Sequence, residues 1–441
     1  MRKILLISLG CDKNRVDSEK MLGLLNLKGY EITDDESEAE VIIVNSCCFI
    51  NDAKQESIDT ILDMARQKET GKCRALIVAG CMAQRYEKEI RETLPEVDAC
   101  VGTGSIAKIG DVIEEVLEGQ RDDILDDVDS LPLTDGKRLL TTGGHYAYLK
   151  IAEGCDKHCT YCAIPMVRGR YRSVPMESLL SEAKDLADMG VRELILVAEE
   201  TTLYGTDLYG RKCLHELIHQ LAQIQGIRWI RVLYCYPEEI YEELIQCMKD
   251  EKKFVHYLDL PIQHADDEIL RRMGRHTTNA DLRRIIAHLR EEVPDIVLRT
   301  TLITGFPGET QEQHEELCRF INEMEFNRLG VFPYSKEEGT PAERMDGQID
   351  EETKLERRDE LMELQQEISS DLLQNLIGHK IECMIEGQAS GENVYVARSY
   401  GDAPDVDGYI FINTDEPMMT GDFAQVKITA ASDYDLTGVL V

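Results

Sequence analysis

Apolar and polar positions along this chain fall into three successive rhythms, each predicting a different architecture. From residue 1 to about 120, short apolar runs at 4–9, 41–44, 75–79 and 97–101 read as buried strands. Stretches 17–28, 52–66 and 84–93 between them carry amphipathic helical spacing. This alternation predicts an open parallel α/β sheet of flavodoxin-like appearance. A second block has strand-like runs at 147–151, 193–197, 229–234, 255–260, 297–303 and 330–334, with helical patterns at 176–189, 214–223, 238–248, 279–290 and 311–324. Six β–α units are two short of a closed eightfold barrel, so a partial (β/α)6 barrel is expected, with its active site at the carboxyl ends of the strands. Residues 351–377 read as one long charged helix, and five short strands follow at 381–386, 394–398, 409–412, 423–428 and 436–440, the pattern of a small OB-like β-barrel. The expected domains are 1–125, 141–374 and 375–441. A charged connection links the first two, running from Arg121, Asp122 and Asp123 through Leu131, Pro132 and Leu133 to Gly143 and Gly144.

Charge narrows the partners. The 441 residues carry 49 Lys and Arg against 84 Asp and Glu, a net charge of −35. Such a surface repels phosphate backbones and suits a basic protein, unless the acidity serves solubility alone. Fourteen cysteines, several in metal-like spacings, point to a reducing compartment rather than a disulfide scaffold. The apolar run after Met1, Arg2 and Lys3 is short for a signal peptide, and no stretch approaches the roughly 20 apolar residues of a membrane span. A soluble cytoplasmic protein is expected.

Two sets of cysteines carry the candidate chemistry. Cys155, Cys159 and Cys162 follow the spacing C-x3-C-x2-C on a short loop. A four-iron cluster takes four thiolates, so three leave one iron open to a small molecule. The competing reading is a zinc knuckle with His158 as fourth ligand. The second set is dispersed: Cys11, Cys47 and Cys81 each follow a predicted strand, and carboxyl ends of parallel strands gather on one edge. Cys47 and Cys48 are adjacent, and spacing does not choose between them. Gly10 and Gly80 precede two of the three, whereas Cys73 and Cys100 read as packed thiols. Three buried free thiols would be the plain alternative for the dispersed set.

With Tyr161 just before its third cysteine, the loop from Cys155 to Cys162 resembles the signature of radical S-adenosylmethionine (radical SAM) enzymes. The resemblance implies a [4Fe-4S] cluster whose open iron is chelated by SAM and whose electron cleaves SAM to methionine and a 5′-deoxyadenosyl radical. Ala198, Glu199 and Glu200 stand where that family often has Gly-Gly-Glu. Segment 303–309 resembles its adenine-side glycine segment, with Thr301 in place of the first glycine. By resemblance and position, Tyr161, Glu199, Glu200, Gln263, Arg299 and Gly305 are the candidate SAM contacts. The whole chain is similar to the methylthiotransferase family, on Gly10-Cys11-Asp12-Lys13-Asn14, Asn45-Ser46-Cys47 and Gly80-Cys81, with Ser46 where a threonine is usual. That comparison selects Cys47, and it implies two [4Fe-4S] clusters, on Cys11, Cys47, Cys81 and on Cys155, Cys159, Cys162. The C-terminal barrel takes the place of a TRAM domain.

Segments 8–14, 145–151, 402–408 and 433–436 resemble the branch that modifies small-subunit ribosomal protein S-twelve. The implied reaction is β-methylthiolation of an aspartate with two SAM molecules, an external electron donor and a sulfur source. The sister activity acts on an adenosine of transfer RNA. Residues 375–441 carry three basic side chains against eleven acidic ones, a net charge of −8, which disfavours RNA. Asp402, Asp405 and Asp407 are the expected contacts to the basic substrate. A non-catalytic iron–sulfur electron carrier would call for four-cysteine ligation, and the sequence offers none.

Overall fold

The computed structural model describes residues 2–120, 123–130, 132–134, 137–389 and 393–441. Arg121, Asp122 and Leu131 of the expected connection, and Glu392 of the acidic tally, lie outside the described residues.

The first sheet has five strands: β1 (Lys3–Ser8), β2 (Glu31–Ile32), β3 (Val41–Ser46), β4 (Ala75–Gly80) and β5 (Ala99–Val101). Their order β2-β1-β3-β4-β5 is all parallel, the flavodoxin arrangement with its switch point between β1 and β3. Strands β3 and β4 are buried at every position, hence their unbroken apolar sequence. The first helix begins at Asp12, five positions before the apolar periodicity starts. Its polar side chains Lys13, Asn14, Asp17, Ser18, Glu19 and Lys20 are all buried, so its inward face does not read as apolar.

The second sheet is the open parallel barrel. Its strands are β6 (Tyr146–Lys150), β9 (Glu193–Val197), β10 (Trp229–Val232), β11 (Phe254–Asp259), β12 (Val297–Thr304) and β13 (Arg328–Pro333), in the order β13-β12-β11-β10-β9-β6. A two-strand ribbon, β7 (Ala152–Glu153) with β8 (Arg172–Ser173), brackets the cysteine loop; strands this short carry no periodicity to find. Along β12, Leu298 and Leu302 enter the helix-side core, while Arg299, Thr301 and Ile303 alternate with them onto the lumen side. The expected helix over 238–248 divides into a 3-10 turn, Pro237–Glu239, and a helix, Glu242–Asp250, because proline opens the turn.

Helix Glu351–Gln374 leads to the C-terminal closed barrel of β14 (Lys380–Gln388), β15 (Val394–Ser399), β16 (Ile410–Asn413), β17 (Phe423–Ala431) and β18 (Leu436–Leu440). This module seals one end of the large barrel: Met384 and Ala403 join Trp229, Val255 and Tyr257 in one apolar cluster. Buried charges lock the contact. Arg398 pairs with Glu193 and Glu386, and Arg231 Nε donates to Glu193 at 2.8 Å. Arg328 Nη2 donates to Asp402 at 2.5 Å, and Tyr257 Oη donates to Asp407 at 2.7 Å.

Two of the three aspartates expected to face a substrate are therefore committed elsewhere. Asp402 and Asp407 are buried against barrel arginines, and only Asp405 is exposed, its side chain 55% accessible. Much of the module's acidity neutralises the barrel, because a polar seam between domains is stable only when each buried charge has a partner. Replacing Asp402 with Asn should lower stability by about 3 kcal/mol in urea titrations, since it strands Arg328. Asp405→Asn should stay within about 0.5 kcal/mol of wild type.

Candidate active site

Strand ends place the dispersed cysteines. Cys11 caps helix Asp12–Leu27, Cys47 follows β3, and Cys81 opens helix Cys81–Thr93. Two thiols thus lie at helix N-termini, where the backbone favours a thiolate. Gly10 has φ +81°, and a Cβ there would fall 2.6 Å from Cys47 Cβ, so the first two loops touch at a point that only glycine allows. Asn14 stitches them: its Nδ2 donates to Leu9 O at 3.0 Å and Ser46 O at 3.1 Å. Its Oδ1 lies 3.7 Å from Cys81 Sγ. Cys48 is buried in the cluster of Ile42, Leu76 and Ala83 that also includes Cys81, and burial pushes its thiol up to about 12. Of the adjacent pair, Cys47 is the one that meets the Cys11 loop, at Gly10.

The second triad is held by backbone bonds. Cys155 N donates to Gly169 O at 3.1 Å, Cys162 N to Cys159 O at 3.0 Å, and Thr160 N to Met273 O at 2.9 Å. Tyr236 Oη is 3.5 Å from Cys159 Sγ. His158, between Cys155 and Cys159, is exposed where Cys159 is buried.

Both triads suit a cluster by their donor chemistry. Backbone amides of Phe49, Lys157 and Ile164 favour the thiolate forms of Cys47, Cys155 and Cys162, the kind of polar surrounding that tunes iron–sulfur centres. Burial pushes the Cys155 thiol up to about 12 and raises Cys47, Cys81 and Cys162 as well. Buried thiols of this kind become thiolates only against a metal, which replaces their protons.

Between the triads lies a buried charged network that sequence reasoning missed. Arg168 Nη1 donates to Glu153 at 2.5 Å and Asp17 at 3.0 Å, while Nη2 donates to Asn14 Oδ1 at 2.5 Å. Lys150 Nζ reaches the other oxygens of Asp17 and Glu153. One guanidinium therefore contacts the asparagine beside Cys81 and the glutamate two residues before Cys155. Burial opposes ionisation of Glu153, but Arg168 and Lys150 hold its carboxyl down at about 2. Glu199 fares oppositely: burial, with the charge of Glu153 adding, pushes it up to about 7. A second bridge crosses nearby, where Lys13 Nζ sits 3.4 Å over the Tyr234 ring and 3.0 Å from Asp12. Isolated charges between apolar runs give no sequence signal for such a network; Asp12, Lys13, Asn14, Lys150 and Glu199 lay within quoted motifs, but Asp17 and Arg168 did not.

The six expected SAM contacts divide. Glu199 Oε2 accepts from Gly154 N at 3.0 Å, and both Glu199 and Glu200 lie close enough to Cys155 to raise its pKa. Gln263 has φ +70° and a buried Oε1 without a hydrogen-bond partner, an acceptor awaiting a donor. Tyr161 is buried beside Cys159, Cys162 and Arg275. Arg299 is engaged instead by Asp259 at 2.9 Å and Asp407 at 3.7 Å, so it serves the seam with the C-terminal module. Gly305 backs onto the long linker helix: a Cβ there would fall 2.3 Å from Lys354 Cγ.

His264, next to Gln263, is fully buried, and burial with the charges of His314 and Arg357 drives its pKa down to about 3. The unfolded chain binds a proton there below its ordinary pKa near 6.5 and the folded chain does not, so stability falls as pH drops from about 6.5 toward 3. His264→Asn keeps an acceptor for Asp266 N, which donates to Nδ1 at 3.0 Å. The variant's unfolding midpoint should fall less than that of wild type between about pH 7 and pH 4.

Comparison with known proteins agrees with this layout. Residues 3–102 match the family described as "Uncharacterized protein family UPF0004", residues 149–321 the radical SAM superfamily and residues 377–441 the TRAM domain. Among solved structures, the radical SAM methyltransferase TsrM from Kitasatospora setae, with cobalamin and a [4Fe-4S] cluster bound, is similar in fold: TM-score 0.55, 14% identity, 77% of each chain covered. The "Ribosomal protein uS12 methylthiotransferase RimO" of Lachnoclostridium phytofermentans is 57% identical over 436 residues, covering 99% of both chains. That of Clostridioides difficile is 49% identical over 438 residues, covering 99% of this chain and 98% of its own. Identity at this level over the full length leads to one conclusion: the chain belongs to the RimO family of ribosomal protein uS12 methylthiotransferases.

Proposed function

We propose that this chain methylthiolates the β-carbon of an aspartate in ribosomal protein uS12, with Cys11, Cys47 and Cys81 holding one [4Fe-4S] cluster and Cys155, Cys159 and Cys162 the other. When bound, the clusters and SAM supply the reducing electron, the carbon radical and the methylated sulfur that the unactivated carbon–hydrogen bond requires. The observation that supports this reading is the bridge from Asn14, beside Cys81, through Arg168 to Glu153, two residues before Cys155, which ties the loops of the two triads together.

The chain's own residues then have definite work. Glu199, anchored by Gly154 N beside Cys155, is placed to receive the ammonium group of SAM, and Gln263 offers its unpaired Oε1. Arg168 and Lys150 keep Glu153 ionised and pair with Asp17, so the two loops are held at a fixed spacing. Asp405, exposed and 3.4 Å from Arg15, is the acidic group of its loop left to face a basic partner. An external electron donor and a sulfur source complete the reaction. Among the described residues no helix is long and apolar enough to cross a membrane, which accords with a cytoplasmic site of action.

The test is mass analysis after anaerobic incubation of the iron-reconstituted chain with SAM, a reductant, sulfide and, in parallel, uS12 or unmodified transfer RNA. A methylthio-sized gain on a uS12 aspartate with the RNA unchanged supports the proposal; a gain on adenosine instead would refute it.

A further inference from the structure

On the outer wall of the barrel, away from both triads, His314, Cys318 and Glu360 bring one nitrogen, one sulfur and one oxygen within 4.8 Å of one another. His314 and Cys318 are four residues apart on helix Gln311–Met324, hence on one face, and Glu360 comes from the neighbouring helix Glu351–Gln374. His314 Nε2 lies 2.9 Å from Glu360 Oε2 and 3.6 Å from Cys318 Sγ.

A plain His314–Glu360 hydrogen bond leaves something unexplained. If Nε2 carries the proton, Nδ1 is a bare, buried lone pair with no hydrogen-bond partner, 3.7 Å from Glu309 Oε1. Glu309 Oε1 is itself buried and accepts no hydrogen bond, although Arg357 Nη1 lies 3.2 Å away. Nδ1 thus faces a carboxylate oxygen whose charge Arg357 balances, and with the proton on Nε2 the buried Nδ1 gains no hydrogen bond there. With the proton on Nδ1 instead, the N–H faces Glu309 Oε1 at 3.7 Å, a favourable charge contact, and Nε2 presents its lone pair between Cys318 and Glu360. A carboxylate behind an imidazole whose other nitrogen is free is the arrangement that orients metal-bound histidines.

We propose that His314 Nε2, Cys318 Sγ and Glu360 Oε2 bind a divalent transition metal of the zinc class, with Glu309 orienting the imidazole. Mixed nitrogen, sulfur and oxygen donors suit zinc, whose ligand atoms stand roughly 3.3–3.7 Å apart in a tetrahedron. The 3.6 Å between Nε2 and Sγ already fits, and Glu360, its side chain 60% accessible, is free to withdraw slightly from Nε2. Binding releases the Cys318 proton to solvent, so thiolate and carboxylate balance the dication. Arg357 does not compete for these ligands: its Nη1 donates to the Glu309 carbonyl at 3.1 Å. The ion would clamp the last barrel helix to the strut that carries the C-terminal module.

The experiment uses the full chain with both clusters loaded, so that the six cysteines of the triads are occupied. The protein is equilibrated anaerobically with Zn2+, freed of loose metal by gel filtration, and assayed for zinc and iron together. Wild type should retain about one zinc per chain with iron unchanged. Cys318→Ser and Glu360→Gln should each lower zinc affinity at least about tenfold, and Glu309→Gln by about 10- to 100-fold, again with iron unchanged. Glu360 is exposed, so its variant tests the site without threatening the fold. Wild-type protein that retains no zinc would overturn the proposal, leaving a proton on Glu309 to satisfy His314. Zinc bound equally by wild type and all three variants would overturn it too.

Discussion

Arg168→Met should be the most damaging single substitution in the chain, lowering stability by about 4 kcal/mol in urea unfolding. The side chain is 1% accessible and pairs with Asp17 and Glu153, with Glu199 Oε1 3.7 Å from its Nε. Removing it leaves three buried carboxylates with Lys150 as their near cation, and an uncompensated buried charge costs more than the pair ever contributed. Loss should therefore appear first where the two domains meet, as faster proteolysis of the connection around residues 123–140. Arg168→Lys should recover only part of the loss, because one ammonium does not reach Asp17, Glu153 and Asn14 in the planar fork that guanidinium offers. If Arg168→Met unfolded at the wild-type urea midpoint, the network would hold nothing together.

The second large effect concerns iron. Serine at Cys11, Cys47 or Cys81 should remove about four of about eight irons per chain and abolish methylthio transfer, while reductive cleavage of SAM continues. Serine at Cys155, Cys159 or Cys162 should abolish both reactions. Three thiolates are the least that hold such a cluster, so the loss of any one leaves two. Cys48→Ser should leave iron content and both reactions unchanged, since Cys47 rather than Cys48 packs against Gly10 beside Cys11. Loss of iron in Cys48→Ser with none in Cys47→Ser would reverse the assignment.

Much of this was legible before any coordinates, for reasons that differ from place to place. Strands β3 and β4 are buried on both faces and so read as uninterrupted apolar runs. The cysteines at strand ends were visible because parallel topology converts distance in sequence into proximity at one edge. What stayed hidden was the polar seam. Lys13, Asn14, Asp17 and Glu19 lie on a helix face that is buried against other charges, and periodicity searches recognise only apolar faces. Arg168 looks like any surface arginine in sequence, yet its partners Asp17 and Glu153 are brought to it by two different domains. The same blindness misplaced Asp402 and Asp407: net charge told the sign of the C-terminal module but not that Arg328 and Arg299 would consume it. Charge counts speak to partners only after internal pairing is subtracted.

The proposed function puts two iron–sulfur centres in one chain, with Arg168 bridging the loops that hold them. It is tested most directly by electron paramagnetic resonance of the fully reduced, cluster-loaded protein. The account predicts mutual dipolar broadening and fast relaxation in wild type, and a single sharper signal once Cys11, Cys47 and Cys81 are all replaced by alanine. A wild-type spectrum equal to the sum of two isolated clusters, with no change in the remaining signal when the first triad is removed, would contradict it.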